Sequence, residues 1–288
     1  MPRDRADAAA QANDRRRERL PDALVQPQEG ALDRPRDPLP TRVQDLPPLP
    51  AAYADALEEG LRALDLDLPA DARTILDGHV RLLLAWTTAI NLTAIREPAD
   101  VARLHVLDSL AATPVLRSRG ISRLLDLGSG GGFPGIPLAA ALGSDRALLV
   151  DSVGKKVRFL ETVIRATGLE RRVAAEAQRS EAIARDPRDR EAWPAVTARA
   201  VTSLAELVEL ALPLVAPGGV LVAWKRYPVD EELDAATGAL RALRAGRPEI
   251  QRVRVPGLED HRLVVVPRDG PIDVRYPREP SERRRRPL

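Results

Sequence analysis

Leu124-Leu125-Asp126-Leu127-Gly128-Ser129-Gly130-Gly131-Gly132-Phe133-Pro134-Gly135-Ile136-Pro137-Leu138 is the segment around which the rest of the chain is organised. It opens as a short apolar run ended by glycine, the pattern of a strand buried in a parallel sheet. A glycine cluster follows, and then an apolar helix from Ile136 to Leu142. Glycines at such a turn allow positive φ angles and bring the backbone close to a ligand. The free N–H groups and dipole of a following helix favour a negatively charged ligand group. Strand, glycine turn and helix together read as a nucleotide-type cofactor site.

Two registers fit the glycines. Gly130-x-Gly132-x-x-Gly135 matches the dinucleotide fingerprint in letters. Asp126-x-Gly128-x-Gly130-x-Gly132 matches the pattern of S-adenosylmethionine (SAM) methyltransferases, with an acid at the strand end and glycine directly after it. The next strand, Ala147 to Val150, ends in Asp151, 19 residues beyond Gly132. A carboxylate there accepts both ribose hydroxyls of an adenosine, which suits either cofactor.

Composition bounds the chemistry. The 288 residues are 44% hydrophobic and 30% charged, enough for one large domain plus appendages. With no cysteine, disulfides, thiolate metal sites and thiol nucleophiles are excluded. The three histidines, His79, His105 and His261, are scattered, which argues against a histidine metal site. No apolar run approaches the roughly 20 residues that span a bilayer, and no signal-peptide pattern opens the chain. The expectation is a cytoplasmic monomer. Net charge is +2. Residues 1–48 carry nine arginines and nine acids, whereas residues 275–288 carry six arginines and two acids. By difference the body is slightly acidic, so any polyanion must be met by a local patch or by the C-terminal tail.

In chain order, residues 1–48 are rich in Pro, Asp, Arg and Ala without sustained apolar periodicity, and are expected to be disordered. Residues 49–120 read as a helical cap, with amphipathic helices at 51–64, 71–90 and 97–111. His105 and Asp108 are neighbours on the last of these, placed to fix that helix against the cofactor domain. Residues 121–270 alternate strand and helix, the signature of a parallel sheet covered on both faces. Lys155, Lys156 and Arg158 open the helix after Asp151, where cations oppose the dipole and so point to a polyanion contact. Arg199 ends one strand and Lys225-Arg226 the next, at the sheet edge where ligands bind. Strands at 252–255 and 263–266 are spaced as an antiparallel hairpin. The tail, 271–288, is expected to be basic and flexible.

At this point several motifs in order resemble one family: Asn91-Leu92-Thr93, Leu104-His105-Val106-Leu107-Asp108-Ser109-Leu110, Asp126 to Pro137, Asp151-Ser152-x-x-Lys155-Lys156-x-x-Phe159-Leu160 and Thr197-Ala198-Arg199-Ala200. They resemble the RsmG family, also called glucose-inhibited division protein B, of small-subunit rRNA guanine-N7 methyltransferases. The resemblance covers roughly residues 55–270 and excludes both ends. It implies an α/β fold, the class I SAM-dependent methyltransferase (Rossmann-like) sheet, mostly parallel with an antiparallel last strand. It implies SAM as donor and 16S rRNA as substrate, with cofactor contacts on Gly128, Phe133, Asp151, Ser180, Glu181 and Arg199. The glycine pattern itself adds Gly130 and Gly132 to that set.

Guanine N7 carries no proton, so methylating it needs positioning and not a general base. That agrees with a sequence lacking an obvious acid–base constellation, and no catalytic residue is assigned. Lys155, Lys156, Arg158, Arg199, Lys225 and Arg226 suit RNA phosphates, with Phe133, Trp224 and Tyr227 as the few candidate stacking platforms. Trp224, on a strand, reads first as core. Two other readings stand beside this one: a nicotinamide-dependent oxidoreductase, which lacks a Tyr-x-x-x-Lys pair, and a non-catalytic ribosome-assembly factor that retains a nucleotide fold.

Overall fold

Seven strands pair into one sheet: β1 (Arg123–Leu127), β2 (Arg146–Asp151), β3 (Val173–Ala177), β4 (Trp193–Arg199), β5 (Val215–Arg226), β6 (Glu249–Arg252) and β7 (His261–Pro267). The structure is a computed structural model that describes residues 38–288. Strand order is β3-β2-β1-β4-β5-β7-β6. The first five strands run parallel, and β7 runs antiparallel to β5 and β6. This is the mostly parallel sheet with an antiparallel end that the sequence predicts. The hairpin's first strand lies three residues earlier than expected, and Val253 and Val255 remain buried beyond its end.

The period of two along each strand sorts side chains into two cores. Leu124, Ala147, Leu149 and Val222 face one layer with the helices Ala51–Ala63, Ala70–Trp86, Gly135–Leu142 and Gly154–Ala166. Leu125, Leu127, Leu148 and Val150 face the other, covered by the helices Leu204–Ala211 and Thr237–Ala242. The N-terminal helices therefore share a core with the sheet, within one compact unit, Leu39–Leu288. Among the described residues no helix is long and apolar enough to cross a membrane.

Connections after β1 and β4 leave in opposite directions, because β2 and β3 lie on one side of β1 while β4 and β5 lie on the other. The crevice at this reversal, outside the carboxyl ends of the strands, is where open α/β sheets bind ligands.

Three local expectations are corrected. Residues 1–37 of the segment expected to be disordered lie outside the described residues, but 38–48 are packed. Leu39, Val43, Leu46 and Leu49 lie against the first core, Trp86 Nε1 donates to the Pro40 carbonyl at 2.7 Å, and Arg81 reaches the Val43 and Leu46 carbonyls. Their apolar spacing is hidden among prolines, yet it buries enough surface to order the segment. The C-terminal tail is also held: Ile272 and Tyr276 enter the second core, and 280–285 form a helix. Finally, the run expected as one α-helix over 97–111 has a π-helical middle, Ala102–Leu107, flanked by Pro98–Val101 and Asp108–Leu110. Such one-residue insertions are frequent at functional sites, and this one carries His105.

Candidate functional site

The turn after β1 is tied at both ends. Gly128 and Ser129 donate their backbone N–H groups to the Val150 carbonyl at 2.8 and 3.0 Å. Gly130 N–H donates to Asp151 Oδ2 at 3.0 Å, and Val153 N–H to Asp151 Oδ1 at 2.9 Å. Beneath the turn, fully buried Asp126 accepts from Thr197 Oγ1 at 2.7 Å and from Gly135 N–H at 3.1 Å. Burial pushes the Asp126 carboxyl up to about 6, against the hydrogen bonds from Thr197, Ser129 and Gly135. Asp126 thus clamps strand, turn and helix together from inside.

Gly130 has a φ of +56°, and a carbon built on it would point into open space, 3.9 Å from the Gly128 carbonyl oxygen. Gly128 and Gly130 line a cavity of about 590 Å³ with Phe133, Arg199, Trp224 and His261. Gly132, expected to meet the cofactor, faces away from it. A carbon on Gly132 would sit 2.6 Å from Ile136 and 2.9 Å from His79 Nε2, so this glycine lets the turn pack down on the core.

At the far wall stands a buried constellation centred on Arg199. Its Nη1 donates to Asp108 Oδ2 at 2.9 Å and to the Leu104 carbonyl at 3.0 Å, and its Nη2 meets His105 Nδ1 at 3.2 Å. Asp108 Oδ1 lies 2.7 Å from His261 Nδ1, and the Asp108 carbonyl accepts from Trp224 Nε1 at 2.8 Å. A guanidinium only donates, so His105 Nδ1 is bare and Nε2 carries the proton to Thr93 Oγ1 at 2.7 Å. Burial and then the Arg199 charge push His105 down to about 3. The imidazole is neutral. Asp108 and His105 do fix their helix to the sheet, but through Arg199 and not by meeting each other.

Phe133 is enclosed. His79 stacks on one side at a centroid distance of 4.4 Å, His105 on the other at 4.8 Å, and Arg199 lies over the ring at 5.5 Å. Both ring faces are therefore covered, and Phe133 serves as wall, not as a platform for a base. Trp224 is 6% exposed and is core, as expected. Tyr227, 60% exposed, is the expected stacking candidate that stays on the surface, with the Arg262 guanidinium over its ring at 4.9 Å.

Next to the first cavity lies a second of about 430 Å³, lined by Asp151, Val153, Gln178, Ser180, Glu181 and Glu206. Gly128, Lys156, Ala200, Val201 and Thr202 line both, so the two adjoin there. Ala200 takes a φ of +55°, a costly conformation for a residue with a side chain, of the kind that collects at functional sites. Val201 Cγ2 lies 2.7 Å from the position of a carbon built on Gly128, which is why only glycine fits there.

The structure divides the six cations expected to meet phosphates. Arg199 and Lys225 are largely buried and paired with Asp108 and Glu232, so they hold the fold and do not face a polyanion. Those carboxylates come from other elements, which the chain order conceals. Lys156 Nζ sits 3.7 Å from Asp151 Oδ2, and exposed Arg226 pairs with Asp260 at 2.6 Å. Lys155 and Arg158 are exposed, and among the described residues neither has a carboxylate within 4.0 Å.

Sequence reasoning missed His261 and Glu206. His261 is a lone histidine whose only clue is its position opposite Arg226 at the start of an antiparallel strand. Its partner Asp108 is 153 residues away.

The buried histidines also set a pH dependence. His79 Nε2 donates to the Gly131 carbonyl at 2.7 Å, which leaves Nδ1 bare, buried and unpartnered. Burial, only partly opposed by that hydrogen bond, pushes His79 down to about 4. A histidine depressed in the folded state gives stability that is present above its unfolded pKa near 6.5 and lost as pH falls towards 4. Asp126, raised, acts in the opposite sense over roughly pH 4 to 6, so the comparison must be with a variant. His79→Gln should lower the slope of unfolding free energy against pH by about 1.2 kcal/mol per unit between pH 6 and 5, measured by urea denaturation. An unchanged slope would mean that His79 is already protonated in the fold.

Comparison with known proteins accords with this geometry. The family model described as rRNA small subunit methyltransferase G (GidB) matches residues 73–255. The chain is 39% identical over 212 residues to ribosomal RNA small subunit methyltransferase G of Roseiflexus castenholzii, covering 72% of this chain and 87% of that one. It is 36% identical over 239 residues to the protein of that name from Pelotomaculum thermopropionicum, covering 83% and 100%. With the one from Chloroflexus aggregans it shares 40% identity over 207 residues, covering 72% and 86%.

Proposed function

Since the chain belongs to the ribosomal RNA small subunit methyltransferase G family, we propose that it transfers a methyl group from SAM to N7 of one guanine in small-subunit 16S rRNA. The observation that carries this reading is the pair of adjoining cavities at the carboxyl ends of β1, β2 and β4, with the open face of Gly130 in the wall of the first.

The residues present fit SAM. Each Asp151 oxygen accepts one backbone N–H and keeps a further lone pair, which suits a ribose diol. Val153 and Val150 offer apolar surface to an adenine, and Ser180, Glu181 and Gln178 offer polar groups at its edge. Gly128 and Gly130 leave room for the amino-acid end to approach the backbone. Bound there, SAM supplies an electrophilic methyl group carried on a sulfonium.

The protein's part is to hold and to exclude. Of the groups lining the first cavity, Asp108 is engaged with Arg199 and His261, and His105 with Thr93 and Arg199, while His261 Nε2 has no hydrogen-bond partner among the described residues. The reaction does not call on a base, because N7 has no proton to lose. Rate then comes from keeping nucleophile and methyl carbon in line at near-attack distance in a site closed to water. The purine enters from the Trp224–Arg226 side of the first cavity. Lys155 and Arg158 stand beside the junction and carry phosphate contacts, which make RNA binding salt-dependent without reading sequence.

A nicotinamide reading is not favoured: Gly132 and Gly135 of that register face His79 and Asp126 inside the fold. Nor is a non-catalytic assembly role, because the relatives are methyltransferases by name. The decisive assay incubates rRNA from a strain lacking the modification with the protein and SAM, then cleaves chemically at 7-methylguanosine. One new cleavage in 16S rRNA is expected. Methylation elsewhere than N7, or none, would overturn the reading.

Lys155→Glu should weaken RNA binding and reduce the slope of log K against log salt by roughly 0.7 to 1.4, because one phosphate loses its cation and meets a carboxylate instead. SAM affinity should stay within about twofold, since Lys155 lines neither cavity. Filter binding at several salt concentrations reads the slope; an unaltered one would remove Lys155 from the interface.

A further inference from the structure

Four consecutive arginines, 283–286, stand near the end of the chain, and the first behaves unlike the rest. Arg284, Arg285 and Arg286 are exposed, whereas Arg283 is 8% exposed and turned inward. Its Nη2 donates to Glu181 Oε1 at 2.5 Å, its Nε meets Glu206 Oε1 at 3.3 Å, and its Nη1 donates to the Arg278 carbonyl at 2.7 Å. Both acids line the second cavity. Glu206 Oε2 in turn accepts from Thr202 Oγ1 at 2.5 Å, and Thr202 lines both cavities.

The segment that delivers Arg283 is itself anchored. Arg278 grips buried Glu209 with Nε at 2.8 Å and Nη2 at 2.7 Å, and its backbone N–H adds a third bond to the same carboxylate at 2.9 Å. Arg185 pairs with Glu279 at 2.8 Å, and Arg190 Nη1 donates to the Tyr276 carbonyl at 2.8 Å. All of these tail residues lie beyond residue 255, where the family match ends.

We infer that Arg283 is a positioning residue for cofactor binding: from the C-terminal tail it holds Glu181 and Glu206 in the wall of the second cavity. This rests on the reading of that cavity as the adenosine site. One planar guanidinium serves two carboxylates from different elements, a task its fork geometry suits and a lysine's point charge does not. Without it, two neighbouring carboxylates repel each other and the wall formed by Ser180, Glu181 and Thr202 loses its set position. A ligand then meets a wall that must be reordered on binding, which weakens affinity. Burial raises the Glu181 carboxyl, yet the Arg283 and backbone hydrogen bonds and the Arg283 and Arg179 charges together outweigh it and hold the group below its usual range, so the pair is ionic.

The test is calorimetric titration of SAM into the full-length protein and into Arg283→Gln. Wild type should bind, and the variant should bind about tenfold more weakly. KM for SAM should rise similarly, while kcat at saturating SAM stays within about twofold, a split that general loss of structure would not produce. A second measurement uses only wild type. Coupling between sites is reciprocal, so SAM should slow amide hydrogen exchange in residues 280–286 by a comparable factor. Equal or tighter SAM binding by a folded Arg283→Gln would overturn the inference and leave the cofactor reading standing. Unaltered exchange in 280–286 on SAM binding would overturn it too, even if the variant does not fold. Failure of wild type to bind SAM would instead bring down the cofactor reading, and this inference with it.

Discussion

Asp108→Ala should lower the unfolding free energy by about 3–5 kcal/mol, the usual effect of removing one partner from a buried ion pair. The reason is local. Asp108 Oδ2 takes Arg199 and Oδ1 takes His261, with Asp108 2% exposed and the Arg199 side chain 15% exposed. Without the carboxylate, Arg199 retains only the Leu104 carbonyl and His105 Nδ1 for a buried positive charge. For a domain of this size each kcal/mol is roughly 2–4 °C in melting temperature, so a fall of about 10 °C or more is expected. Methyl transfer should fall further than stability alone explains, because Asp108, His105, Arg199 and His261 all line the first cavity. Asp108→Asn keeps the volume but loses the charge, and should be intermediate. A loss below about 1 kcal/mol for the alanine variant would mean that Arg199 finds another partner and that the constellation is not what holds this wall.

Gly130→Val should raise the dissociation constant for SAM by at least about 100-fold. Two effects contribute, and a matched control separates them. Left-handed backbone costs a side-chain-bearing residue roughly 1–2 kcal/mol, most for a β-branched one. Gly143, at the end of the helix Gly135–Leu142, has nearly the same backbone, φ +59° against +56°, and equally open space around an added carbon. It lines neither cavity. Gly143→Val should therefore lose comparable stability and leave SAM affinity within about twofold. Gly130→Val puts its branched carbons into the first cavity, the space proposed for the ligand. Calorimetry on the pair gives the answer. If both variants bind alike, backbone strain is the whole effect and the Gly130 side of the turn is not a cofactor surface.

Much of the architecture is legible because it is written locally. β1 and its turn announce themselves through one apolar run meeting five nearby glycines. Asp151 follows at the spacing of a ribose acid, and the hairpin spacing forecasts an antiparallel end to the sheet. Errors arise where local composition misleads. Prolines hide the apolar spacing of Leu39, Val43, Leu46 and Leu49, which the first core accepts. In the tail, Arg278 and Arg283 look solvated by composition, but Glu209, Glu181 and Glu206 stand ready to neutralise them inside the fold. Gly132 matches a cofactor pattern in letters, yet its turn presents it to His79.

By itself the chain of letters determined the strand–turn–helix, the order of alternating elements, the acid at the end of β2 and the family whose motifs these are. Each is set by neighbours within a few residues, through backbone freedom and periodicity, and so survives reading in one dimension. Tertiary structure alone decided which charges are spent. Arg199, Lys225 and Arg283 each meet a carboxylate, Asp108, Glu232 or Glu181, that folding brings to them, and two of the three partners lie more than 90 residues away. A charge's role depends on what shares its low-dielectric surroundings, and that is a property of distance in space, not of position along the chain.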